Sequence, residues 1–421
     1  MSCERISIIG LGYIGLPTAA VLASHMGNVI GVDVNQEVVT AINTGAVKTV
    51  EPGLAELLAE VTAKEQLRAV TQPEPADAFI IAVPTPITED HKPDMSYVRA
   101  AALSLARVLR RGNLIILEST SPVGTTEQMA QWLAEARPDL TFPQQAGEEA
   151  DIQITYCPER ILPGKMLDEL VHNDRVVGGM TGKAAEMATV LYRLFVRGEI
   201  LTTTVRTAEM CKLAENSFRD VNIAFANELS MICDKLGIDV WELIRLANRH
   251  PRVNILQPGC GVGGHCIPVD PWFIVDSAQE EVRLIRTARE VNDYKPEWVV
   301  AKVKHAIEAF LVEHPGKTIA DVTVACWGLT YKADTDDMRN SPALHTVHQI
   351  MEFGCKLIIV EPHINFISDY LYKFKDYFLS PKTALKYADI HCLLVPHTDF
   401  PQKISNDLHA NYIIDICNSY K

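Results

Sequence analysis

Aromatic residues make up only 7% of this 421-residue chain, and no two cysteines have the C-x-x-C spacing of zinc knuckles and dithiol redox motifs. No apolar run approaches the roughly 18 residues needed to span a membrane. The first residues, "MSCERISIIGLG", lack the basic start, apolar stretch and small-residue cleavage site of an export signal, and they read instead as a strand. The expectation is a soluble cytoplasmic protein. Positive charge is scarce: 39 lysines and arginines stand against 53 acids, a net charge of -14. That excludes nucleic acid as the main partner but allows an anionic ligand held by local cations. No fixed-period repeat and no low-complexity segment is present. The ten cysteines are scattered. In a reducing compartment the ordinary reading of each is a free thiol in a core.

What is present is alternation. "RISIIG", "NVIGVDVN", "DAFIIAVPTP" and "NLIILESTSPVGTT" are short apolar runs ending in polar loops, with helical spacing between them. Strand alternating with helix predicts a parallel sheet covered on both faces. "ITYCPERILPG" and "RVVGGM" extend the pattern. Residues 206–237 then contain no proline and no internal glycine, and their apolar positions recur at three and four, so one long helix is predicted to stop at Gly237. Met210, Leu213, Phe218 and Ile223 on it predict a largely packed helix. A second helix follows, capped by Asp239. Residues 281–313 read mostly as helix. From about 320 a second α/β pattern begins, with a helix after Ser341 and Pro342 at its first position. The expected architecture is α/β, with two Rossmann-like parallel-sheet domains joined by a helical connector. The domains are residues 1–205, 206–315 and 316–421.

Gly10, Gly12 and Gly15 form G-x-G-x-x-G between a strand and a helix, and Asp33 ends the next strand. In that context the motif is a dinucleotide fingerprint. Its glycines allow a tight turn, close approach of backbone to a pyrophosphate and close helix–strand packing, and the acid accepts from ribose hydroxyls. No arginine follows Asp33, which favours NAD over NADP. Tyr13 and Ile14 belong to the same loop and join the expected cofactor contacts. Ligands in such sheets lie beyond the carboxyl ends of the strands. Thr85, Thr120 and Thr126 fall there and are candidates for cofactor or substrate contacts.

On the long helix Lys212, Asn216 and Arg219 share nearly one face. They fit a sugar, a water or an anion, or simply a solvated face. "GVGGHCIPVD", residues 261–270, places one thiol, Cys266, on a bent loop. Packing, disulfide bonding, metal binding and catalysis are all open for it on spacing alone. His265 is adjacent, but neighbours in an extended loop point apart, which counts against a Cys–His dyad. No second Cys or His has metal-ligand spacing, so no metal is expected.

Taken together, "GLGYIGLPTA", "ESTSPVGTTE", "YCPERILPG", "AEMCKLAENSFRDVNIAFANE", "NRHPRVNILQPG", "GVGGHCIPVDP" and "DDMRNSPA", in this order along essentially the whole chain, resemble the UDP-glucose/GDP-mannose dehydrogenase family. The resemblance implies NAD-dependent oxidation of a UDP-sugar C6 alcohol to the uronate. It points to UDP-N-acetyl-D-mannosamine ahead of UDP-GlcNAc, UDP-glucose and GDP-mannose, and to cell-surface polysaccharide synthesis. It also implies a homodimer with shared active sites. By the same resemblance Cys266 is the nucleophile and Lys212 the general acid/base, with Asn216 nearby. Asp270 orients its partners or water, Glu159 serves the hydrolytic step, and Thr120 joins the catalytic set. Arg160, Ile161, Arg219, His250, Arg252, Gly263, Tyr331 and Lys332 are implied sugar-nucleotide contacts, and Arg339 a cofactor contact. The glycines before Cys266 give a sugar clearance. One departure is Cys417, where a basic residue is usual, unless Lys421 supplies the charge.

A four-electron oxidation explains the thiol. A second hydride cannot leave an aldehyde until a nucleophile has added to it, and a thiolate adds well. A two-electron dehydrogenase of the 3-hydroxyacid type would share the dinucleotide domain and the Lys-x-x-x-Asn helix without needing Cys266 or a second sheet domain. A non-enzymatic NAD-sensing module would need neither Lys212 nor Cys266.

Overall fold

The apolar runs of the first 200 residues become eight strands: β1 Ile6–Ile9, β2 Val29–Val32, β3 Leu67–Val70, β4 Ala78–Ile81, β5 Leu114–Leu117, β6 Gln153–Tyr156, β7 Arg175–Gly179 and β8 Ile200–Thr204. The computed structural model describes residues 4–47, 49, 51–161, 164–364, 369–400 and 412–418, so Lys421 lies outside the described residues. The chain divides into two units, Met1–Glu215 with Trp272–Ser277, and Asn216–Pro271 with Ala278–Lys421.

In the first unit the sheet order is β3-β2-β1-β4-β5-β6-β7-β8. Strands β1, β4 and β5 are buried along their whole length, which is why they are written almost wholly in aliphatic residues. Helices cover both faces over two separate apolar cores. The first six strands are parallel, and their order reverses between β1 and β4, where such sheets bind dinucleotides.

One strand departs from the expected parallel pattern. β7 runs antiparallel to β6, pairing Tyr156 with Gly178, and β8 runs parallel to β7. Among the described residues, the only helix between β6 and β7 is Met166–His172. Seven residues span about 10 Å, and the chain re-enters the sheet at the end it left. Arg175, the first residue of β7, therefore starts beyond the carboxyl end of β6.

The second unit holds four parallel strands, β9 Thr323–Trp327, β10 Lys356–Val360, β11 Ile390–Leu393 and β12 Ile413–Asp415, in the order β10-β9-β11-β12. Ser341 caps the helix Pro342–Met351 by accepting from Leu344 N–H at 3.2 Å, with Pro342 at the first position as expected. Among the described residues no helix is long and apolar enough to cross a membrane.

The helix Val205–Leu236 is continuous for 32 residues. It ends where Gly237 adopts φ 68°, with Ile238 N–H bonded back to the Cys233 carbonyl, and Asp239 caps the next helix through Trp241 and Glu242 N–H. Its second-unit stretch is fastened to the helix Leu284–Glu313 by buried polar groups. Asp220 accepts from Arg289 at 2.5 Å and from Asn292 at 2.8 Å, and Asn227 bonds Asn292. The opposite side corrects the reading of a largely packed helix. Phe218 is 70% exposed, Phe225 52% and Ile232 47%, at intervals of seven residues. Apolar spacing alone does not distinguish a face turned to the chain's own core from one turned outward.

Removing one partner of a buried ion pair leaves the other charge stranded, at a cost of about 3–5 kcal/mol. Asp220→Ala is expected to lower stability by that order in denaturant unfolding. Asp220→Leu combined with Arg289→Met is expected to recover most of the loss.

Candidate active site

At the end of β1 the chain turns sharply at Gly10, whose φ is 94°. A Cβ there would meet the Ala82 carbonyl at 2.5 Å, and one on Gly15 would meet the Gly10 carbonyl at 1.9 Å. Only glycine fits either position. Gly12 has no heavy atom within 4 Å of its would-be Cβ, so its backbone borders open space at the start of the helix Gly15–Met26. Tyr13 is partly exposed and Ile14 is the N-cap of that helix. Asp33 accepts from Leu11 N–H at 3.0 Å and Asn35 N–H at 2.9 Å, which fixes the carboxylate at the rim of the loop. Glycine cradle, helix N-terminus and fixed acid together fit a dinucleotide.

Loops from the next strands meet at the same sheet end. Ser119 bonds both the N–H and the carbonyl of Val83, joining the loops of Thr85 and Thr120, which are both half-buried. Thr126 is a correction. It is fully buried, and its hydroxyl and N–H both donate to Glu209, at 2.6 and 2.8 Å. Glu209 also accepts from Gly124 N–H at 2.6 Å, so Thr126 secures a buried carboxylate at the start of the helix Thr125–Ala136 rather than touching a cofactor.

Lys212 lies in the first unit, where its ammonium donates to the main-chain carbonyl of Glu159 at 2.7 Å. The Glu159 carboxylate is buried, accepting from Arg160 N–H at 2.6 Å and facing the Arg175 guanidinium at 3.2 Å. Arg160 pairs with Glu215 at 2.8 Å, and Ile161 packs against the first core. Three residues here were not anticipated. Glu118, Arg175 and Tyr192 are buried together, with Tyr192 donating to Glu118 at 2.6 Å and Arg175 at 3.9 Å from the same oxygen. Burial pushes the Glu118 carboxyl up to about 7 and the neighbouring Cys157 thiol up to about 12. The available signal was a charge at the end of a strand apolar along its length, in "LIILE" and "RVVGG". Glu51, also unanticipated, is buried and accepts from Gly164 and Met166 N–H, both at 2.7 Å, holding the far end of the Cys-Pro-Glu-Arg loop.

In the second unit Cys266 is half-buried, at the start of a turn whose last N–H, that of Asp270, bonds the Cys266 carbonyl at 2.9 Å. Asp270 is buried and accepts from the Asn216 amide at 2.5 Å, so acid and amide orient each other. The two glycines have a reason for their smallness inside this unit. A Cβ on Gly263 would strike Tyr331 and the Asn340 carbonyl at 2.7 Å, and one on Gly264 would lie 3.0 Å from the Tyr331 ring. Gly264 N–H also bonds the Arg339 carbonyl at 2.9 Å. Their smallness lets the Cys266 loop pack on Tyr331 and residues 339–342, and clearance for a sugar is not needed to explain it. Arg339 grips Asp337 through two nitrogens, and Arg219, His250, Arg252 and Lys332 are exposed.

A cavity of about 370 Å³ in this unit is lined by Trp241, Gln257, Tyr331, Lys332, Cys260 and Cys417 among others. Cys417 thus lines the cavity where a basic residue was expected, and Lys332 brings a cation to the same wall. Trp241 and Gln257 were missed, because nothing in an amphipathic helix or a loop marks a residue that borders a cavity. Asp334, His363 and His397 converge next to this cavity, with His397 Nε2 at 3.2 Å from the hydroxyl of Thr330 in its lining, but His397 Nδ1 already accepts from Asp334 N–H at 3.0 Å.

Residues 4–196 match the UDP-glucose/GDP-mannose dehydrogenase family, NAD binding domain. Residues 206–294 match its central domain and 325–421 its UDP binding domain. This chain belongs to that family. It is therefore an NAD-dependent nucleotide-sugar dehydrogenase, built on the two-sheet α/β fold expected. It is 57% identical over 419 residues to the UDP-N-acetyl-D-mannosamine dehydrogenase of Yersinia pestis, covering 99% of each chain. It is 56% identical over 413 residues to the NDP-N-acetyl-D-galactosaminuronic acid dehydrogenase of Ralstonia nicotianae, covering 98% of this chain and 95% of that one. Among solved structures, the UDP-D-ManNAc dehydrogenase of Pyrococcus horikoshii matches with a TM-score of 0.88 at 38% identity, over 99% of this chain and 96% of that one.

Hydrogen bonds to a charged group contribute about 1.5–3 kcal/mol. Asp33→Ala is expected to weaken NAD+ binding roughly tenfold or more, and to narrow the preference over NADP+, in titration calorimetry with each.

Proposed function

We propose that this dehydrogenase oxidises the C6 alcohol of UDP-N-acetyl-D-mannosamine to the carboxylate in two steps joined by a covalent bond to Cys266. The relatives carry the sugar assignment, and the half-buried thiol beside the Asp270–Asn216 pair carries the chemistry. The balance is R–CH2OH + 2 NAD+ + H2O → R–COO− + 2 NADH + 3 H+. NAD+ supplies the hydride acceptor for both oxidations.

The chain's residues do the rest. Lys212 takes the hydroxyl proton in the first step, and its ammonium with the Asn216 amide stabilises oxygen charge at C6. The Cys266 thiolate then adds to the aldehyde carbon, and the resulting thiohemiacetal holds the sugar while the cofactor is exchanged. Loss of the second hydride leaves a thioester on Cys266. Water adds to its carbonyl, the C–S bond breaks and the thiol is regenerated. Asp270 is engaged in orienting Asn216, so we assign proton removal from that water to Glu159. Thr120, on the loop joined to Val83, serves the same centre.

We divide the chain functionally into 1–205 for the cofactor, 206–315 as connector and dimerisation region, and 316–421 for the nucleotide sugar. The UDP group occupies the cavity of Tyr331, Lys332 and Trp241, with Arg160, Ile161 and Arg219 at the sugar and Arg339 reaching the cofactor. The enzyme is cytoplasmic and homodimeric. The support for pairing is the exposed apolar face of Phe218, Phe225 and Ile232, with His250 and Arg252 exposed nearby in sequence for a partner's ligand. A second reading, an N-acetylgalactosamine substrate, is favoured by the Ralstonia relative at nearly the same identity.

Two NADH per sugar and no free aldehyde are expected when NADH is counted against a limiting amount of each UDP-N-acetylhexosamine. One NADH per sugar would refute the four-electron reading, and the preferred hexosamine decides between the two sugars. Cys266→Ala is expected to lose carboxylate formation by at least a thousandfold, in line with removal of a covalent nucleophile.

A further inference from the structure

Arg175 stands between two buried carboxylates, at 3.2 Å from Glu159 and 3.9 Å from Glu118. One cation cannot fully compensate two anions shut away from water. Of the two acids Glu118 is the worse placed. Tyr192 donates to one of its oxygens at 2.6 Å, while its other oxygen is buried with no hydrogen-bond partner among the described residues. Glu159 also has one oxygen without a hydrogen bond, but that oxygen faces the Arg175 guanidinium at 3.2 Å and the other accepts from a main-chain N–H.

We propose that Glu118 and Arg175 are positioning residues of the hydrolytic step: Arg175 fixes the Glu159 carboxylate, and the charge on Glu118 sets how firmly Arg175 holds it. This rests on the assignment of Glu159 as the group that takes a proton from water. An ion pair with arginine makes a carboxylate a poor base. A second carboxylate on the same guanidinium offsets that effect when it is ionised. The groups facing Glu118 are Arg175 on β7, Tyr192 on the helix Gly182–Tyr192, and Cys157 and Glu159 after β6. Burial raises the carboxyl to about 7, Glu159 adds to the rise, and Arg175 and the Tyr192 hydroxyl oppose it. The Cys157 thiol, pushed up to about 12, stays neutral through this range. Below about 7 Glu118 therefore holds a proton and Arg175 belongs to Glu159. Above it the guanidinium is shared, its hold on the Glu159 carboxylate loosens, and hydrolysis quickens.

The test uses the full-length enzyme with saturating NAD+ and UDP-N-acetyl-D-mannosamine, following the rate of thioester hydrolysis against pH by rapid quench. The native enzyme is expected to show a rise with its midpoint near neutrality. Glu118→Gln is expected to abolish that rise and to stay at the low-pH rate throughout. Tyr192→Phe removes the bond that favours the ionised carboxylate, so its midpoint is expected to move up by about one pH unit. A purely structural role would lower rates without moving a midpoint. An unchanged midpoint in either variant overturns the inference, and Tyr192→Phe decides it alone if Glu118→Gln does not fold. Glu159→Gln, run in parallel, separates the two claims. If it still hydrolyses the thioester, the base assignment fails. If it accumulates thioester while Glu118→Gln keeps the native midpoint, only the present inference fails.

Discussion

A carboxylate removed from water is tolerable only where donors meet it, and among the described residues that arrangement recurs at six buried acids: Glu51, Glu118, Glu159, Glu209, Asp220 and Asp270. Most of them secure a place where regular structure ends. Glu51 holds the loop after β6, Glu209 the start of the helix after β5, and Asp270 the amide of Asn216. The loops that carry Thr120, Glu159 and Cys266 lack apolar cores of their own. Buried charge–donor pairs give them fixed geometry, and each such pair makes the loop intolerant of losing either partner.

The reversal of β7 belongs to the same logic. In an all-parallel sheet only strand ends face the ligand side. Because β7 runs the other way, its first residue arrives there, and Arg175 comes to lie between acids from the loops after β5 and β6. The arrangement joins residues 118 and 159, from the loops after β5 and β6, with 175 at the start of β7 and 192 at the end of the helix Gly182–Tyr192.

Much of this was legible in the sequence because its signals are local. The glycine fingerprint, Asp33, the stop at Gly237 and the caps at Asp239 and Ser341 each depend on a few adjacent residues whose backbone needs are specific. Strand direction was not legible, since a buried apolar run reads the same whichever way it lies. The partners of Glu118 and Glu51 were hidden for a different reason. Tyr192 is 74 residues from Glu118, and Gly164 is 113 from Glu51, so no spacing rule connects them. The glycines before Cys266 were recognised as requiring clearance, but the neighbour they admit, Tyr331, comes from the far end of the chain. Thr126 was misread because a threonine after a strand looks the same whether it faces a ligand or a buried glutamate.

The row Phe218, Phe225, Ile232 has a geometric consequence of its own. A straight α-helix drifts by about 20° for every seven residues relative to a strict seven-residue repeat. Over the two repeats from Phe218 to Ile232 the drift is about 40°. A second helix laid along the row would take it up by winding with a left-handed supercoil, so the seven-residue spacing favours that hand of packing.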